Sequence, residues 1–169
     1  GSIERPLVFG NNDTPGVMLS SAAKEYLKVY GVLVGKKPLI FTNNDSGYET
    51  AIEFKKNGVD PIILDTRKEP KSEIIDEAKK LDIEIKFSYV VVAAKGYKKV
   101  KSAEVAKISD DKNELGTLEN INCDCICVSG FWTPTIHLAS QSGNKTTFNK
   151  EIDAFVPGLS KQNETTLGA

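Results

Sequence analysis

Apolar positions in this chain alternate between short unbroken runs and stretches in which they recur every third or fourth residue, a pattern of buried strands and one-sided helices. Residues 5–10 read as a short extended segment, and the polar turn at 11–16 is rich in residues that bend the backbone. A helix begins between Pro15 and Ser21, with Met18, Leu19, Ala22, Tyr26, Val29 and Tyr30 on one stripe. Gly31 stops it as a left-handed cap.

The next stretch carries the most information. Residues 38–42 form a short buried strand, 43–46 a turn, and 47–57 a helix that ends at Gly58. A second apolar strand, 61–64, closes on Asp65. Strand, tight turn, helix and strand ending in an acid is the outline of a nucleotide-binding βαβ unit. Asp65 follows Asn43 at close to the spacing, roughly 20 residues, at which an acid meets a ribose hydroxyl. A linker at 66–71 leads to a helix at 72–81, whose buried stripe is Ile74, Ile75, Ala78 and Leu81. Strand material then follows at 83–87, 89–94, 100–108 and 121–128. The predicted fold class is α/β: a Rossmann-like βαβαβ parallel sheet followed by a small antiparallel meander. The Lys95 to Lys101 cluster reads as the solvated tip of a hairpin, with docking on an acidic partner as its functional alternative.

Composition narrows the function classes. The 169 residues are 40% apolar and 27% charged, and 22 basic against 23 acidic side chains leave a net charge of -1. That balance gives no electrostatic case for nucleic acid. No run approaches the roughly 20 apolar residues of a membrane span, and the start lacks the order of a signal peptide. A cytoplasmic protein is expected. Gly1-Ser2 resembles a cloning scar, and the chain reads as an excised piece of a longer parent.

Cys123, Cys125 and Cys127 occupy alternate positions, which predicts one strand with three thiols on one face. Residues two apart on a strand are separated by roughly 6.6 Å, too far for three thiolates about 2.3 Å from one zinc. Buried apolar roles are expected instead. Asp110, Asp111 and Glu114 lack EF-hand spacing and read as a solvated loop. Neither a metal site nor a catalytic residue is predicted. His137, the lone histidine, stands beside no recognisable nucleophile pattern and reads as structural or interfacial. Trp132 reads as a packing residue.

The turn at 43–47 is the candidate cofactor site. Dinucleotide turns use one glycine for the bend, a second for approach of the pyrophosphate and a third for helix-on-strand packing. Thr42 and Asn44 occupy the first two places, and Gly47 keeps only the third. Asn44 tolerates left-handed dihedrals, but its side chain stands in the path of the phosphates. Asp45 or Ser46 can cap the helix, and the Asp45 charge would repel a pyrophosphate. Two readings stay open for Thr42, Asn43, Asn44, Asp45, Ser46, Gly47 and Asp65: a nucleotide site, or a remnant that keeps the fold without the ligand. Arg67 could hold a 2′-phosphate or be a solvated loop cation.

Four stretches together carry a family resemblance: Arg5-Pro-Leu-Val-Phe-Gly-Asn-Asn-Asp-Thr-Pro-Gly-Val-Met18, Phe41-Thr-Asn-Asn-Asp-Ser-Gly-Tyr48, Val128-Ser-Gly-Phe-Trp-Thr-Pro-Thr-Ile-His-Leu138 with Ser140-Gln-Ser-Gly-Asn-Lys145, and Ala154-Phe-Val-Pro-Gly158. Spread in order over nearly the whole chain, they resemble the alpha subunit of heterotetrameric sarcosine oxidase.

That resemblance implies a two-dinucleotide-binding flavoprotein fold in which a second nucleotide-type domain is inserted into a first. Residues 1–35 would lead in from the first domain, 36–128 would be the inserted NAD(P)-type lobe, and 129–169 would return. Ser129 to Pro134 stand where relatives carry an Ala-Thr-Gly-x-x-Pro crossing motif. The family's alpha subunit holds NAD in its first domain, and flavin, FAD and FMN, lies mainly with the partner subunit. The complex, with beta, gamma and delta subunits, oxidises the methyl group of the small amine sarcosine, yielding glycine, hydrogen peroxide and a one-carbon unit passed to folate. Gly168 and Ala169 would begin a segment that approaches the NAD. The present chain would itself be scaffold and interface, inactive alone and without a cofactor of its own. The alternative is a lobe that binds NAD, NADP or FMN in a related amine or opine oxidase.

Overall fold

A computed structural model describes residues 1–109, 114–163 and 165–166. In chain order the elements are β1 (Ser2–Glu4), β2 (Val17–Leu19), α1 (Ser20–Tyr30), β3 (Pro38–Thr42), α2 (Ser46–Lys56), β4 (Ile62–Asp65), α3 (Glu73–Lys80) and β5 (Glu84–Phe87). They continue with β6 (Tyr89–Lys95), β7 (Ser102–Lys107), β8 (Glu119–Asn122), β9 (Cys125–Ser129), β10 (Trp132–Pro134), α4 (His137–Gln141), β11 (Thr146–Asn149) and β12 (Ala154–Pro157). Two units divide them: Pro6–Phe131, and Gly1–Arg5 with the chain from Trp132 onward.

The larger unit is built on a five-stranded sheet in the order β2-β9-β3-β4-β5, and every neighbouring pair in it is parallel. All five residues of β3 and all five of β9 are buried. The cause is cover on both faces, which removes the polar alternation of a half-exposed strand. Ile40, Ile63, Cys125 and Cys127 face one cluster with Ala23, Leu27, Tyr48, Phe54, Ile75 and Ala78 from the helices. Leu39, Phe41, Leu64, Ile126 and Val128 face a second cluster with Val91, Val100 and Val105. That second layer is the antiparallel meander β6-β7-β8. The predicted α/β class with parallel sheet and meander is therefore the observed one.

Two expectations need correction. The predicted strand 121–128 is two strands in two sheets, broken at Cys123 and Asp124. The Asp124 carboxylate accepts the backbone N–H groups of Lys36 and Lys37, both at 2.8 Å, which pins the bend to the loop before β3. The thiols accordingly do not share a face: Cys123 packs on the meander side and the other two on the helix side. The α1 stripe is also rotated. The helix buries Ser20, Ala23 and Leu27, while Tyr26, Val29 and Tyr30 are exposed. Its end is as read, with Gly31 at φ 64° and its N–H donating to Leu27.

In the smaller unit β1 pairs with β10 and β11 with β12, each antiparallel. Phe148 and Phe155 meet edge to face across the second pair. Trp132 lies half-buried on β10 opposite Glu4, and His137 is exposed at the start of α4. Among the described residues no helix is long and apolar enough to cross a membrane.

Candidate functional site

From β3 the chain proceeds through α2 to β4 and through α3 to β5 on one side, whereas β9 lies on the other. The order reverses between β3 and β9, and open α/β sheets bind ligands in the crevice at such a switch point, beyond the carboxyl ends of the strands. Thr42 ends β3, Ser129 ends β9 and Asp65 ends β4. The structure thus gathers Thr42, Asn43, Asn44, Asp45, Ser46, Gly47 and Asp65 at one end of the sheet. Gly168 and Ala169 lie outside the described residues, as do Asp110 and Asp111 of the loop read as solvated. Among the described residues no group of acids, histidines and cysteines could hold a metal ion.

Asn44 is buried and fully engaged. Its Nδ2 donates to the Ser129 carbonyl at 3.1 Å and to Ser129 Oγ at 3.2 Å. Its Oδ1 accepts the Ser46 N–H at 2.9 Å. The amide therefore caps α2 itself and ties the turn to β9. Asp45, which the sequence offered as a cap, makes no side-chain capping bond. The Asn43 N–H donates to the same Ser129 carbonyl at 3.3 Å. Thr42 Oγ1 donates to the Asn44 carbonyl at 2.8 Å and accepts the Asn44 N–H at 3.1 Å. A glycine at either place could make none of the side-chain bonds.

Gly47 retains the packing role. A Cβ there would fall 2.7 Å from Thr42 Cβ and 2.8 Å from its Oγ1, so α2 rests directly on the buried threonine. Gly47→Ala is expected to cost about 1–3 kcal/mol through overpacking, measured by urea denaturation. In a Thr42→Gly background the added methyl should cost less than in the parent, because the closest atoms all belong to Thr42.

Asp65 has no solvent exposure. One carboxylate oxygen accepts the Tyr48 hydroxyl at 2.7 Å and Arg67 Nη2 at 2.8 Å. The other accepts the Arg67 backbone N–H at 2.9 Å and its Nε at 3.0 Å. Arg67 Nη1 reaches Asp45 at 2.8 Å, and its guanidinium lies 6.0 Å from the centre of the Tyr48 ring. Arg67 is thus a clamp between two carboxylates, neither a solvated cation nor one free for a 2′-phosphate. Burial acts against its charge, but the hydrogen bonds it donates to Asp65 and Asp45 outweigh that and raise its pKa above the ordinary value. Burial, followed by the bond to Asp65, likewise raises that of Tyr48, so the hydroxyl stays a donor.

In this arrangement the turn does not fit a pyrophosphate. Asn44 stands where the second glycine would leave space, its oxygen already occupies a donor of the helix start, and Asp45 adds negative charge at that end. Asp65, the expected ribose acceptor, is spent on Tyr48 and Arg67. Tyr48 and Ser129 were missed as members of this cluster. The available signals were the Asp-x-Arg spacing of Asp65 and Arg67, and a serine ending an otherwise apolar strand.

No protein-family model matches the chain. Among curated proteins, the sarcosine oxidase subunit alpha of Rhizobium meliloti (strain 1021) is 38% identical over 177 residues, a match that takes in 100% of this chain and 16% of that protein. The same subunit of Corynebacterium sp. (strain P-1) is 33% identical over 171 residues, covering 100% of this chain and 18% of the relative. Among solved structures, the thioredoxin reductase of T. acidophilum superposes with a TM-score of 0.68 at 17% identity, over 87% of this chain and 47% of that one. The L-proline dehydrogenase of P. horikoshii gives 0.59 at 20% identity, over 95% of this chain and 25% of that one. The structural likenesses establish fold alone. The sequence matches bear out the resemblance read from the four motif stretches, and the chain spans less than a fifth of the length of these curated relatives. From end to end it is homologous to one segment of the sarcosine oxidase alpha subunit.

Proposed function

We propose that these residues act as a scaffold and interface segment of a sarcosine oxidase alpha subunit, within an oxidoreductase complex that converts sarcosine to glycine and hydrogen peroxide and passes a one-carbon unit to folate. The whole-length match to such subunits supports the parent. One structural observation carries the role: the switch-point crevice is filled by the chain's own side chains, Asn44 to Ser129 on one side and Asp45, Arg67 and Asp65 on the other.

On this reading residues 36–128 are the inserted lobe, residues 1–35 lead into it and 129–169 lead away. β2 and α1, from the leading segment, complete its sheet and helical layer. The NAD of the parent belongs to its other nucleotide domain, flavin mainly to the partner, and beta, gamma and delta subunits complete a cytoplasmic assembly.

Calorimetric titration of the chain with NAD, NADP and FMN is expected to give no saturable binding in the micromolar range, about -8 kcal/mol. Adding sarcosine to the chain alone should release no peroxide. Saturable micromolar binding would favour a nucleotide-binding lobe, and appreciable peroxide would place the oxidase chemistry within these residues.

A further inference from the structure

Helix α1 has two apolar sides, and only one is packed. Ala23 and Leu27 enter the helix-side core. On the other side Tyr26, Val29 and Tyr30, at i, i+3 and i+4, are 47%, 65% and 65% exposed. Beyond Gly31 the chain adds Val32 and Leu33, also exposed. The Tyr26 and Tyr30 rings stand 6.0 Å apart and form a ledge. Scattered exposed apolar residues are ordinary, whereas a contiguous patch of this kind marks an interaction surface.

The patch lies toward the edge of the sheet. β2, which leads directly into α1, is the terminal strand and is paired on one side only. The neighbouring lysines are directed elsewhere: Lys24 is paired with Glu49 and Lys28 with Glu53, both on α2. What remains is a ledge of aromatic and branched side chains that suits packing by other side chains more than enclosure of a small molecule.

We infer that this face of α1 seats a polypeptide segment of the same alpha subunit lying outside these residues. The inference rests on reading the chain as part of such a subunit. The match occupies 16% of the Rhizobium relative and 18% of the Corynebacterium one, so most of each polypeptide is available to supply the cover. A segment on the same chain meets the patch at an effective concentration on the order of millimolar, which a separate copy does not reach in dilute solution.

Thiol labelling tests this. Val29→Cys and Tyr30→Cys are introduced separately into the 169-residue chain and into the longer alpha subunit, the latter both on its own and assembled with its partners. Tyr97→Cys, at a position 92% exposed on the β6–β7 hairpin tip, serves as the reference, and the buried Cys123, Cys125 and Cys127 form a quiet background. In the 169-residue chain the Val29→Cys and Tyr30→Cys thiols should react with maleimide about as fast as the Tyr97→Cys thiol. In the longer subunit both should react about ten-fold or more slowly relative to that reference, as expected of a site reached only through local opening. Equal rates in the longer subunit would overturn the inference, and so would protection that arises only on assembly with the partners, meaning cover by another subunit. So would protection that already exists in the 169-residue chain, whether independent of concentration, meaning cover by its own residues, or rising with it, meaning a second copy. Val29→Asp with Tyr30→Asp supplies a second readout: the thermal transition of the 169-residue chain should be unmoved while the yield of assembled longer subunit falls several-fold. Sarcosine oxidation by the assembled wild-type subunit tests the parent reading separately, so either can fail without the other.

Discussion

Asp65→Ala should destabilise the chain by about 3–5 kcal/mol, the cost of breaking a buried ion pair from one side. The carboxylate is wholly buried and accepts from Tyr48 and Arg67 together. Its removal leaves a phenol hydroxyl without that partner in the helix-side core and a guanidinium held only by Asp45. Asp45 cannot compensate, because its side chain is 44% exposed and such pairs contribute about 0–1 kcal/mol. Asp45→Ala should therefore cost much less than Asp65→Ala. In a double-mutant cycle, Asp65→Ala with Arg67→Met should be less destabilised than the sum of the single changes, because the orphaned charge is gone. Urea denaturation measures all four proteins. A loss below about 1 kcal/mol for Asp65→Ala would mean that the clamp is not structural, leaving the acid free for a ligand.

Stability is expected to fall as the solution becomes alkaline, in part through Cys123. Burial, and after it the neighbouring Cys125 and the Asp124 charge, pushes this thiol from 9.0 up to about 12. Above pH 9 the unfolded chain has released a proton that the folded chain still holds, so the slope of unfolding free energy with pH is negative. The contribution is fully present below pH 9 and is lost progressively toward pH 12. At about 1.4 kcal/mol per unit, the loss reaches roughly 3 kcal/mol near pH 11. Tyr48, raised from 10.0, has the same sign and adds to the loss only above pH 10. Denaturation midpoints at pH 8, 9 and 10 test the thiol: the Cys123→Ala protein should decline less between pH 9 and 10 than the parent does. An unchanged decline in that variant would mean that the Cys123 thiol ionises at its ordinary value in the fold.

Periodicity located the elements that depend on local spacing. The run at 38–42, the helices ending near Gly31 and Gly58, and the strand closing on Asp65 were all readable, since each is set by a short apolar pattern and its breaker. Two features were not readable for the same reason. Cys123 and Cys125 lie on one alternating run, and only Asp124 holding the Lys36 and Lys37 amides turns the strand from one sheet into another. The α1 stripe offered two apolar sides, and tertiary packing selected Ala23 and Leu27.

At the turn, replacement of the first two glycines was plain from Thr42 and Asn44. Their new partners were not, because Ser129 is distant in sequence and Arg67 lay in what read as a linker. A pattern of residue types reports a departure from a known turn motif more readily than the contacts made in its place.

The placement of β9 has a consequence for the order in which the larger unit can form. This strand sits between β2 and β3, yet it is the last of the sheet to be synthesised. Until Ser129 has left the ribosome, β3 has an open edge and β2 has no parallel partner, so the whole meander is synthesised before the sheet can close. Pairings this distant in sequence slow folding and lengthen the exposure of unpaired edges. Nascent chains ending before Cys125 should therefore be the aggregation-prone species, while those extending past Phe131 should acquire protease resistance.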